Sequence, residues 1–143
     1  SCPNHHRALW AMSRYYLRIA RQTSFHELRH SERIREGVPP PECYFQRAKR
    51  FAPQDGMVSA IFGIYLHRRR ELDAALAEYR IAESKNPENA ELIYNMGLLF
   101  LDLNDLPLAK QYAERATSLG YPLTGLQKKI EDRETASFRE DVN

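Results

Sequence analysis

At 143 residues, with 43% hydrophobic and 28% charged side chains, the chain has the length of one domain and a composition that excludes wholesale disorder. No apolar run approaches the ~20 residues a bilayer-spanning helix needs, and no apolar stretch follows Ser1-Cys2-Pro3-Asn4-His5-His6 as a secretory leader requires. The net charge of +2 hides an asymmetry: residues 1–70 hold 13 Lys/Arg against 5 Asp/Glu, and residues 71–143 hold 8 against 14. Such a dipole points to an acidic partner for the first half, or to head-to-tail association between copies.

Two cysteines, Cys2 and Cys43, do not define a disulfide framework and are read as unpaired thiols. They leave the compartment open, so the expectation is a soluble domain of the cytoplasm or periplasm. The chain opens inside a repeating pattern and reads as a fragment of a longer protein.

In chain order, Leu9, Met12, Ser13 and Tyr16 fall at helical spacing and predict a first helix. Phe45, Ala48 and Pro53 read as the end of the helix paired with it. Tyr16 and Phe45 stand much further apart than the corresponding Leu66 and Tyr79, and the excess is an insert spanning Arg21 to Val38. The insert is polar and basic (Gln22, Thr23, His26, Arg29, His30, Arg33, Arg35). Ser24 and Glu27 have the spacing of a capping box, and Gly37 ends the segment. Pro39-Pro40-Pro41 then forces an extended approach to the next helix start. The insert reads either as part of a binding face or as a tolerated surface loop.

A middle hairpin follows. Phe62, Gly63 and Leu66 share one face of its first helix, Arg68 to Glu71 turns the chain, and Leu72, Ala75, Leu76, Tyr79 and Ala82 line the second helix until Lys85-Asn86-Pro87 stops it. In this scheme Gly63 faces Ala75 and Ala82, and small residues let the two helices approach. The last hairpin repeats the chemistry: Ile93, Met96, Gly97 and Phe100, a turn at Asn104-Asp105, then Leu106, Ala109, Ala113 and Ala116, with Gly120 as a left-handed C-cap before Tyr121-Pro122. Leu123, Leu126 and Ile130 predict one more amphipathic helix, opposed by Gln127, Lys128, Glu131 and Asp132; it reads as a cover for the last hairpin, with docking onto a partner as the alternative. From Arg133 the chain turns polar and is expected to fray.

The hairpins share a frame. Pro53-Gln54-Asp55-Gly56 precedes Phe62-Gly63, and Pro87-Glu88-Asn89-Ala90 precedes Met96-Gly97, so that Pro87 repeats Pro53 and Gly97 repeats Gly63 at one interval of thirty-four. Pro3 and Ser13 are spaced as Pro53 and Gly63 are. A fixed period of this size signals a repeat architecture. With Gly63, Ala75, Tyr79, Ala82 and Pro87, and then Tyr94 to Gly97, Asp105, Ala109 and Ala116, the chain resembles the tetratricopeptide repeat family across residues 56–122. Ala113, where that pattern usually has a large residue, and Pro122, one place late, depart from it. The expected fold is all-α: a helical-repeat solenoid of about three tetratricopeptide-like helix-turn-helix hairpins over residues 1–122, plus a C-terminal capping helix. The first repeat spans 3–53 and is interrupted over 21–38, the second spans 54–87 and the third 88–122. The capping helix covers 123–138 and the frayed tail 139–143.

The resemblance implies that the first helices of successive hairpins line a concave groove. It would present Arg7, Trp10, Arg14, Leu17 and Arg18, then Met57, Ala60, Ile64, His67 and Arg68, then Glu91, Tyr94, Asn95, Leu98, Leu101 and Asp102. Arg14, Arg18 and Arg68 are suited to pair with carboxylates of a partner segment. Trp10 and Tyr94 offer aromatic anchors, and Asn95 can bond an extended backbone in both directions. The competing reading is that the aromatics pack between repeats and the arginines are merely solvated. The Lys, Asn and Arg cluster with which some peptide-binding relatives hold a C-terminal carboxylate is not reproduced.

Other chemistry is less well supported. His26-Glu27-Leu28-Arg29-His30 is an H-E-x-x-H segment, the spacing with which two histidines bind zinc while the glutamate activates water. Arg29 places a cation beside any such metal, and no third ligand is evident beyond Glu42 or His67. His5-His6 is a poor chelate, no glycine-rich phosphate loop exists, and nothing fixes a Ser-His-Asp triad. Arg68-Arg69-Arg70 with Arg47, Lys49 and Arg50 suggests a nucleic-acid surface, which the acidic second half opposes. The expectation is a non-catalytic scaffold or adaptor with no metal and no cofactor. Its partner is a protein or peptide, acidic in character. Self-association through opposite charges, or a zinc-dependent hydrolase using the His26–His30 segment, are the alternatives.

Overall fold

Asp55, Asn89 and Asp105 each stand directly before an apolar run, and each starts a helix. Their side chains accept hydrogen bonds from the backbone N–H of Met57 (2.9 Å), Leu92 (3.1 Å) and Leu108 (3.1 Å). Each satisfies a donor that has no partner inside the helix, worth about 1 kcal/mol. The structure, a computed structural model, describes residues 41–140. Among these residues lie six helices and no strand: α1 (Pro41–Phe51), α2 (Gly56–Arg68), α3 (Leu72–Lys85), α4 (Ala90–Asp102), α5 (Leu106–Ser118) and α6 (Gly125–Glu140). The fold is all-α, as expected. The expected first helix over Leu9 to Tyr16, the 21–38 insert and residues 141–143 lie outside the described residues.

The chain divides between Asn86 and Pro87 into two compact units. In the first, α2 and α3 form a helix-turn-helix hairpin and α1 packs on α2. In the second, α4 and α5 form the hairpin and α6 packs on both of its helices. The start of α4 at Ala90 follows that of α2 at Gly56 by the sequence period, and Leu106 of α5 follows Leu72 of α3 likewise.

The period extends to the backbone of the turns. Arg70 (φ 63°) and Asn104 (φ 62°), again one period apart, both take the left-handed conformation. The N–H of Arg70 donates to His67 O and that of Glu71 to Leu66 O; Asn104 donates to Leu101 O and Asp105 to Phe100 O. These paired bonds close a helix end and satisfy carbonyls otherwise left without partners. Gly120 (φ 83°) does the same after α5, donating to Thr117 O while Tyr121 donates to Ala116 O. Here a glycine takes the strained position without the Cβ penalty that Arg70 bears.

Packing adds a detail to the sequence reading. Gly63 lies under the ring of Tyr79, and a Cβ there would fall inside 3.0 Å of that ring. Ala75 and Ala82, both buried, complete the inner face of α3 beside Tyr79. Phe45 of α1 is fully buried, stacks on Phe62 at 4.8 Å and lies 5.5 Å from Tyr65, so aromatic rings join α1 to the hairpin.

Helix α6 keeps the side-chain register of α2 and α4, although it starts one residue later, at Gly125. Leu126 and Ile130 stand one period after Leu92 and Met96, and both are buried. Glu131 follows Gly97 by the same interval, so the position where a further helix would need to approach closely carries a charge instead. That pattern lets α6 cover the preceding hairpin while offering nothing for another to stack on. Leu123 does not join its apolar face: it precedes the helix and is 56% exposed. The helix also runs through Glu140, past the expected boundary at 138.

Candidate partner-binding surface

Helix periodicity brings Met57, Ile64 and Arg68 to one face of α2, spaced by two turns and then one. Met57 is 51% exposed, Ile64 half-buried and Arg68 exposed. One period later the same positions of α4 carry Glu91, Leu98 and Asp102, exposed, half-buried and half-buried. Each unit therefore shows a strip with an aliphatic centre. The strip of α2 ends in a cation, and that of α4 has a carboxylate at both ends. Ala60 and Leu101, expected beside these strips, are buried.

The remaining expected residues are placed as follows. His67 is half-buried and meets Tyr79 edge-on, with ring centroids 6.3 Å apart. Asn95 is half-buried, and its Nδ2 donates to Glu91 O of its own helix at 2.9 Å. Tyr94 is 8% exposed, its ring 4.4 Å from that of Tyr121 in the α5–α6 loop. The side chain expected as an aromatic anchor is thus covered from within its own unit. Arg7, Trp10, Arg14, Leu17 and Arg18 lie outside the described residues, as does the His26–His30 segment.

The Arg68-Arg69-Arg70 cluster is not a uniform cationic patch. Arg69 donates from Nη1 to Tyr65 Oη (2.9 Å) and from Nε to Glu71 Oε1 (2.8 Å), and lies 3.7 Å from Glu42 Oε1. Tyr65 Oη in turn donates to Glu42. This network ties the start of α1 to the α2–α3 turn. It also engages Glu42, one of the two residues considered as a third zinc ligand. Among the described residues no cluster of three His, Cys, Asp or Glu side chains is placed to hold a metal ion. None of the described helices is long and apolar enough to cross a membrane.

Sequence reasoning did not find the role of Tyr121 or the burial of Glu78. Glu78 is 9% exposed, and its Oε1 accepts from Lys49 Nζ at 2.7 Å, joining α3 to α1. Its other oxygen is buried without a hydrogen-bond partner. Lys49 lies far upstream on another helix, beyond the reach of any local spacing rule. No family model matches the chain, and comparison with curated proteins finds no match.

Proposed function

We propose that the chain is a non-catalytic protein–protein interaction module of the tetratricopeptide-like kind, a scaffold or adaptor that binds partner segments through the exposed face of the first helix of each hairpin. The observation that carries this reading is the strip of Met57, Ile64 and Arg68 on α2, repeated in position on α4 by Glu91, Leu98 and Asp102. Apolar centres flanked by charges suit a partner that buries one or two aliphatic side chains and pairs its own charges at the rim. The acidic character of the partner rests on Arg68 together with Arg14 and Arg18, because the strip of α4 is itself acidic.

The test is quantitative capture from cell extract with the wild-type chain and an Arg14→Glu/Arg18→Glu/Arg68→Glu variant. Arg68 is exposed, so its reversal is expected to leave the hairpin folded. The variant is expected to lose acidic partners that the wild type retains at moderate salt, since reversing exposed charges turns attraction into repulsion. Identical partner sets would contradict the basic-surface reading.

A further inference from the structure

The α4–α5 hairpin contains a seat that its own two helices leave unfilled. In the α2–α3 hairpin, Tyr79 lays its ring on Gly63. One period on, these positions are Gly97 and Ala113, and the alanine is too short to reach across. The space over Gly97 is taken instead by Leu126 of α6, with Tyr112 Cβ beside it at 3.4 Å from where a Gly97 Cβ would sit. One hairpin fills its hole from its own second helix. The other fills it with a helix attached by a loop.

Helix α6 is a lightly held occupant. Among its described side chains, Leu126 and Ile130 alone are buried, and residues 131–138 are all exposed. Gln127 brings in a buried Oε1 that finds no hydrogen-bond partner, an unfavourable feature for a tightly evolved contact. The other ties are at the surface: Gln127 Nε2 to Thr117 Oγ1 at 2.9 Å, Arg133 to Asn104 Oδ1 at 2.7 Å, and the Lys110–Glu134 ion pair. Exposed pairs of this sort hold weakly. Beyond Ile130 the helix offers Arg133, Glu134 and Ser137 on the turns that follow its buried stripe, while half-buried Leu103 and Leu106 flank Asn104 on the hairpin side.

We propose that this seat is a second binding site, for an amphipathic helix of a partner protein, and that α6 is its built-in competitor. The partner helix carries two bulky aliphatic residues one turn apart, as Leu126 and Ile130 are, and a carboxylate placed to meet Lys110. It continues the apolar stripe where α6 turns polar, which is what lets it displace a tethered helix that enjoys a high effective concentration. A second copy of this chain brings no such gain, because its own α6 has the same polar half. Binding is reduced by the fraction of time α6 occupies the seat, so loosening α6 strengthens it.

The experiment titrates the full chain into a fluorescent synthetic peptide of residues 123–140 carrying Arg133→Leu and Ser137→Leu, read by anisotropy. Three chains are compared: wild type, Leu126→Ala/Ile130→Ala, which empties the seat, and Ala113→Tyr, which fills it from α5 as Tyr79 does in the other hairpin. The emptied chain is expected to bind severalfold more tightly than wild type, because removing the competitor raises the fraction of seats that are open. The filled chain is expected not to bind. Ala113→Leu, with hydrogen exchange of the α4 and α5 amides as the folding control, replaces Ala113→Tyr if the tyrosine unfolds the hairpin. Arg68→Glu is expected to leave peptide binding unchanged, which separates this site from the α2 strip. Equal affinity across the three chains would overturn the proposal. So would a wild-type chain whose mass doubles with concentration by light scattering while peptide fails to bind, because that gives the seat to a second copy.

Discussion

Replacing Tyr79 by alanine is expected to cost about 3–5 kcal/mol, the range for truncating a fully buried aromatic. Tyr79 is 1% exposed, its ring lies on Gly63, and its edge contact with His67 spans 6.3 Å between centroids. A unit of this size has little more stability than that to lose. The mechanism gives a sharper result than the magnitude. Gly63→Ala in the wild type drives a methyl group into the ring and is expected to destabilise by about 1–3 kcal/mol, as overpacking does. In a Tyr79→Ala background the ring is gone, and the same Gly63→Ala is expected to stabilise by up to about 1 kcal/mol through its better helix propensity. Urea denaturation of the four chains checks this reversal of sign. A Gly63→Ala effect that is the same in both backgrounds would mean that the ring does not lie on the glycine.

Lys49→Ala is the second large effect, at about 1–3 kcal/mol, because the Glu78 end of the pair is buried while the Lys49 side chain keeps 26% of its exposure. The Glu78 carboxylate is buried, one of its oxygens already lacks a partner, and the ammonium 2.7 Å away is what compensates the other. Removing one member of a buried pair strands the charge that stays behind. Replacing both, as in Lys49→Met/Glu78→Leu, is expected to recover most of the loss, because an apolar pair of similar volume needs no compensation. Chemical denaturation at low and high salt distinguishes this from a surface effect: a buried pair is screened little, and the loss should persist in high salt. If Lys49→Ala is neutral, α1 is not held to α3 by this contact.

Much of the architecture can be read from residue types and spacing. The Gly63 and Gly97 period, the polar turn residues, Pro87 as a stop and Gly120 as a left-handed cap are local signals, and each is where the pattern puts it. Side-chain partners across the hairpin are a different matter. Spacing shows that Gly63 lies on an inner face, but not that a tyrosine ring covers it. Ala113 is visible in the sequence as an anomaly, yet its consequence, Leu126 entering from the next helix, depends on how α6 docks. Glu78 is hidden for a similar reason: a glutamate in an amphipathic helix is ordinarily taken for a solvated face, and its cation comes from another helix. Tyr94 sits where a groove-lining aromatic is expected, but Tyr121 covers it from a loop that helical periodicity does not address. Of the surface itself, Met57 and Arg68 are exposed on α2, while Ala60 of the same helix is buried.

Site-specific photo-crosslinking tests directly which face of the hairpins meets a partner. A benzophenone amino acid is placed in turn at Arg68, on the strip of α2, and at Ser84, exposed on α3. The same captured partner is then followed in both chains. The proposed first-helix surface predicts crosslinking from Arg68 and none from Ser84. Crosslinking from Ser84 with none from Arg68 would contradict it.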